Sequence, residues 1–328
     1  MHRFNSIDIT KMVMAALVVA IHVGCMQSYT YGENVWFMLC CAVPFFFVAS
    51  GFLIENRMLK LEYDNNRGGY LVKNVKRNAK LYLLYMSLWI PADLHWCITN
   101  SNPWYYDLAW YIKGVFIMGE TRYSIPLWFL MALIVAEMMV VFFYKVKIHN
   151  LYKIWAIGIS VMLIGYLMEF STNTLLSLFS KHVGYRNGLF MGLGLFTSGM
   201  LIRRLYERMK RKECFLCGTL QLVCAYFMFK YNLPFKYIFA GCGALMLSLS
   251  IPLKDHWFYA SLRNISTLVY FLHMYIIVAA TLLFSDVFKE MSIMQLWLII
   301  LSITILLSAV IENVRKRSEF AWLNNLIG

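Results

Sequence analysis

Long apolar runs broken by short polar or basic stretches dominate the chain from end to end. Ten of them approach or reach the length needed to cross a bilayer: roughly 12–30, 35–54, 80–98, 125–144, 152–170, 185–202, 214–230, 235–252, 264–284 and 293–313. The first has no small-residue cleavage site after it, so it reads as a retained span and not as a removed signal peptide. The longest loops are 55–79 and 99–124, and no soluble domain fits before, between or after the runs. One further stretch, "WYYDLAWYIKGVFIM" at 104–118, is apolar and aromatic but short. It is expected to form a re-entrant or interfacial helix and not an eleventh span. The expected fold is an all-α polytopic membrane protein, with 1–328 as a single integral-membrane domain.

Basic residues orient this pattern. With the N-terminus in the cytoplasm, only Lys113, Arg122, Lys181, Arg186, Lys230, Lys236 and Lys289 fall outside; the other 23 of the 30 Lys and Arg fall inside. Counting 104–118 as a span would invert everything after it and destroy that asymmetry. Ten spans with both termini cytoplasmic is therefore the expected topology. No internal repeat is evident, which weakens an inverted-repeat transporter.

Composition agrees with the pattern: 61% of residues are hydrophobic and only 14% charged, with a mean hydropathy of +0.61. The net charge of +13 sits at helix ends, which favours anionic lipid headgroups as neighbours and argues against nucleic acid. The cysteines lie mostly in or near apolar runs, and Cys214-Phe-Leu-Cys217 has no second ligand pair nearby, so no metal site is expected.

Titratable groups inside the apolar runs are the candidates for chemistry, because hydrocarbon penalises them. In "KMVMAALVVAIHVG" the eleven-residue spacing returns Lys11 and His22 to one helix stripe, about 16 Å apart, past Ala15 and Val18. His22 could move a proton near neutral pH, or it could be an interhelical hydrogen-bonding group. "CAVPFFFVASGFLIENR" carries a kink-forming Pro44 and a close-approach pair, Ser50-Gly51. "YLVKNVKRNAKLY" places Lys73, Lys76, Arg77 and Lys80 on about half of a helix surface. They would suit a phosphorylated cytoplasmic ligand or serve topology and lipid binding. "SIPLWFLMALIVAE" sets Trp128 near an interface and Glu137 deep in a span, where a carboxylate needs a partner. Arg186 and Asn187 precede Gly188, Gly192, Gly194 and Gly199, a spacing suited to tight helix packing. His273 is buried in "ISTLVYFLHMYI" and reads first as a packing group.

These stretches, together with "FNSIDITKMVMAALVVAIHV" and "YRNGLFMGLGLFTSGMLI", resemble in order the acyltransferase family 3 integral-membrane proteins, and the resemblance covers nearly the whole chain. Its flavour is similar to the membrane domain of membrane-bound serine/alanine racemases. The chain ends at the last span, so racemase activity is not expected. The family hallmark is an Arg, ten residues and a His in the first helix; here His22 matches and Lys11 holds the Arg position. The family's inner-loop Arg-x-x-Arg is matched best by Asn74-Val-Lys-Arg77, with the first Arg missing. The resemblance implies O-acyl transfer from cytoplasmic acetyl-CoA, without a metal, to a hydroxyl of an envelope glycan or glycolipid in the bacterial cytoplasmic membrane. It implies His22 as general base, with Asn187 or Trp128 as oxyanion donor. Lys11, Lys73, Lys76, Arg77 and Lys80 would hold the donor, and Glu137, Arg186 and His273 the acceptor. A homodimer is compatible with this reading. A permease or flippase using the same cavity without chemistry is the alternative.

The orientation is testable. Single cysteines replacing Asn65 and Asn102, in a background without exposed native cysteines, should differ toward an impermeant thiol reagent. Only the second should label in intact cells, because translocating the seven basic residues in and around 55–79 opposes the orientation bias. Labelling at 65 from outside would reverse the predicted topology.

Overall fold

The computed structural model describes residues 4–61, 67–100, 102–169, 184–185, 187–284, 286, 290–317 and 320. All regular structure among them is helical: α1 (Asn5–Met26), α2 (Glu33–Cys40), α3 (Ala42–Lys60), α4 (Arg67–Ser87), α5 (Ile90–Thr99), α6 (Trp104–Lys113), α7 (Trp128–Lys145), α8 (Leu151–Glu169), α9 (Leu193–Tyr206), α10 (Arg211–Lys230), α11 (Lys236–Ser250), α12 (Trp257–Leu283) and α13 (Ile293–Val314). Two π turns, Gly114–Met118 and Gly188–Gly192, follow α6 and precede α9.

Seven segments among the described residues are long and apolar enough to cross a membrane: α1, Glu33–Lys60, Ile125–Lys145, α8, α10, α12 and α13. The protein is thus an all-α, multi-pass membrane protein. The other three predicted spans are helical but differ in build. The run 80–98 is divided between the end of α4 and α5, parted at Leu88 and Trp89 with Pro91 in the first turn of α5. The run 185–202 enters α9 through a π turn, and 235–252 condenses to the fifteen-residue α11. Pro44 acts where expected. It has no N–H for the carbonyl of Cys40 and its ring crowds that carbonyl, so the helix resets at Cys41, between α2 and α3. The stretch 104–118 forms one ten-residue helix running into the π turn, too short for a span.

The chain divides into two compact units, with the boundary inside α3 between Phe46 and Phe47. In the first unit (1–46, 210–231 and 239–328), α1 packs along α12, and both meet α13. The Trp297 indole donates to the Ala16 carbonyl at 2.9 Å, and Thr10 donates to Ser248 at 3.0 Å. Asn5 donates to Asp255 at 2.8 Å, and Asp8 pairs with Arg263 at 3.4 Å.

In the second unit (47–209 and 232–238), α9 is the packing centre, and every residue from Leu193 to Met200 is buried. Its contacts depend on missing side chains. A Cβ on Gly199 would lie 1.9 Å from the Val48 carbonyl oxygen, and one on Gly51 would lie 1.9 Å from the Phe196 carbonyl oxygen. The α3 and α9 backbones therefore touch reciprocally, an approach open only to small residues. Beyond this crossing the helices are joined by charge: Arg204 Nε meets the fully buried Glu55 at 2.6 Å, and Arg203 donates to Asn56 at 2.9 Å.

Gly199→Ala or Gly51→Ala should force the two backbones apart and destabilise the protein by about 1–3 kcal/mol, seen as a lower melting temperature in detergent. Gly68→Ala, where a Cβ meets nothing within 4 Å, should leave it unchanged or slightly higher.

Candidate functional site

In the first unit the expected stripe on α1 is a packed face. Ala15 and Val18 are buried, while Lys11 and His22 at its two ends are half-buried. The helix that covers this face is α12, which carries the fully buried His273. The two imidazoles stand 5.2 Å apart between ring centroids, tilted by 38°. His273 Nδ1 lies 3.1 Å from the Val269 carbonyl one turn back on its own helix. A carbonyl only accepts, so Nδ1 carries the proton and Nε2 presents a lone pair. That Nε2 is buried and has no hydrogen-bond partner. Such an atom is costly unless a donor reaches it, and His22 is the neighbouring side chain able both to donate and to accept a proton. Tyr270 completes the aromatic surround of His273, 6.2 Å away, and its own ring meets Phe46.

In the second unit α4 is two-faced. Lys73, Lys76, Arg77 and Lys80 are all exposed, while Asn74 and Asn78 are buried against α7. Both asparagines donate to the fully buried Glu137. Asn74 reaches Oε1 at 2.7 Å, and Asn78 reaches Oε1 at 2.9 Å and Oε2 at 3.1 Å. Asn74, taken in the sequence as standing where the resemblance expects an Arg, faces inward and grips a carboxylate. Asn78 had not been singled out, although its spacing of four from Asn74 puts both on the face opposite the lysines. Lys76 also lines, with Lys145, a groove of about 300 Å³ whose other walls are Val72, Val75, Met138, Val141 and Phe142.

Trp128 and Asn187 come together in the same unit, lining a cavity of about 150 Å³ with Met131 and Gly188. The amide of Asn187 serves the backbone: it donates to Gly184 at 2.6 Å and accepts from the Phe190 N–H at 2.8 Å, capping the π turn before α9. That ties Asn187 to shaping this wall. Arg186 lies outside the described residues. The Glu55–Arg204 pair was missed by sequence reasoning, because both residues look like ordinary charged helix ends.

Comparison with known proteins places these features. Residues 4–312 match the family model described as an acyltransferase domain, that of acyltransferase family 3. A stretch of 143 residues is 30% identical to an "Amino-acid racemase" from Enterococcus faecalis, covering 42% of this chain and 19% of that protein. No solved structure matches. With its seven apolar membrane-length segments, the protein is a multi-pass component of the bacterial inner membrane. A match across nearly all of an all-helical membrane chain leaves one assignment: the chain belongs to acyltransferase family 3.

Proposed function

We propose that this protein moves an acetyl group from cytoplasmic acetyl-CoA to a hydroxyl of a cell-envelope carbohydrate, with His22 as the general base. The observation that carries the reading is the His22–His273 pair on the face of α1 that also holds Lys11. His273, with its tautomer set by the Val269 carbonyl, keeps a buried Nε2 that no donor reaches, and its ring centre stands 5.2 Å from that of His22. That ring packing orients His22, whose imidazole is the group able to take a proton.

The reaction balances in one proton cycle. The acceptor hydroxyl loses its proton to His22 as its oxygen attacks the thioester carbonyl. The tetrahedral oxyanion collapses, the carbon–sulfur bond breaks, and the leaving thiolate takes the proton back as the free thiol of CoA. Half-burial suits His22 to this cycle better than His273, because a group that meets substrate must be reachable. Lys11 supplies a cation at the far end of the same stripe. In the other unit, the exposed basic face of α4 and the groove shared by Lys76 and Lys145 join positive charge to apolar walls. That combination suits a donor with phosphates and a thin organic arm. Glu137 is assigned to holding α4 against α7, so that the basic face is presented.

His22→Ala should lower acetyl transfer by about 10²–10⁴-fold, read as CoA thiol release in proteoliposomes, while insertion and thermal melting stay near wild type. Near-normal turnover would remove His22 from catalysis. Acceptor flux without acetyl-CoA would favour a permease.

Lys11→Ala should weaken acetyl-CoA binding in a radioligand assay, and Lys11→Arg should retain or improve it, since a guanidinium grips phosphate in two places. Unchanged affinity in Lys11→Ala would place the donor elsewhere.

A further inference from the structure

The second unit holds a larger cavity, of about 460 Å³, walled by α5, α6 and the segment 120–125. That volume is in the range of clefts that bury small organic ligands. Its walls join three carboxylates, Asp93, Asp107 and Glu120, to the indoles of Trp96 and Trp110 and to Arg122.

Asp93 and Asp107 are 5% and 4% exposed. Among the described residues, the hydrogen bonds drawn to them come from neutral donors. The Thr121 hydroxyl donates to Asp93 at 2.8 Å. The amides of Asn100 and Asn102 donate to Asp107 at 3.2–3.3 Å. Neutral donors orient a carboxylate without cancelling its charge, and a buried uncancelled charge favours a cation brought in from outside. Arg122 is turned onto the face of Trp96, 4.4 Å from the ring centre. Trp110 keeps about half of its surface exposed at the cavity wall. Carboxylates beside indoles recognise an alkylammonium by charge-assisted hydrogen bonds and by the ring quadrupole. An indole face also covers the apolar face of a sugar ring, while the remaining carboxylate oxygens accept from its hydroxyls.

We infer that this cavity takes an amino sugar, a hydroxylated ring bearing a protonated amine, in preference to a neutral sugar. The ligand class rests on the cavity alone; that a sugar is the relevant ligand accords with the acyl-transfer reading above. The site is built by α5, α6 and the segment 120–125, and α6 opens the stretch 104–118 that the apolar pattern sets apart from the spans.

The test is calorimetric titration of the purified full chain in nanodiscs at pH 6.5, without acyl-CoA, using glucosamine, N-acetylglucosamine and glucose. Glucosamine should bind at least tenfold more tightly than the two neutral sugars. Asp107→Asn should abolish that preference, and Trp110→Ala should weaken all three ligands. Asp107 also holds the Asn100–Asn102 turn, so Asp93→Asn serves as a second charge-removing variant, and thermal melts verify folding of both. Equal affinities in the wild type, no binding of any sugar, or a preference surviving in both aspartate variants would overturn the proposal. Repeating the titration with His22→Ala separates the two readings. Retained amine preference in a variant still active in acetyl transfer sinks only the catalytic assignment, and full wild-type transfer without amine preference sinks only this one.

Discussion

Hydrocarbon offers no hydrogen bond to a polar group, and the arrangement of this protein follows from how its buried polar groups are answered. In the second unit Glu137 is held by two asparagine amides, and Glu55 by the guanidinium of Arg204. In the first unit Glu312 near the end of α13 is gripped by Arg315 at 2.5 Å and reached by Asn264 of α12 at 3.3 Å. Each contact ties a helix end or face to a particular partner. Breaking one by removing a single member would leave a charge or dipole with nowhere to go, the costly outcome for any buried pair.

Apolar surface cannot supply that specificity, since a leucine is as content against lipid as against another leucine. Close approach has to come from shape. The reciprocal contact of Gly51 with Phe196 and of Gly199 with Val48 brings two backbones together where any side chain would intrude. Gly158 faces Gly194 and Thr197 in the same spirit, and the Trp155 indole reaches Ser198 at 3.1 Å. A helix surrounded this tightly is a rigid scaffold, and the groups on its neighbours inherit that rigidity.

Not every buried polar atom is answered, and among those left without a hydrogen-bond partner the Nε2 of His273 stands beside a second titratable ring. One nitrogen is committed to a backbone carbonyl, and the other is buried, without a partner, beside His22. A packing histidine would be expected to use both nitrogens. A lone pair left open next to a half-buried imidazole supports the role proposed for His22.

Much of the architecture was legible in one dimension. Helical class and multi-pass character follow from the length and apolarity of the runs, which need no knowledge of partners. The two-faced character of α4 follows from the spacing of Lys73, Lys76, Arg77 and Lys80, and the break before α3 from Pro44. The stripe joining Lys11 to His22 is likewise a property of a single helix. Periodicity assigns residues to faces, but it does not say which faces meet. Only the tertiary structure decided that Glu137 answers to Asn74 and Asn78, that Glu55 answers to Arg204, and that His273 stands beside His22. Those choices join residues 59 to 251 positions apart in the chain and depend on which helices can approach closely. Among apolar helices that is set by small residues and local shape in three dimensions, for which the linear pattern carries almost no signal.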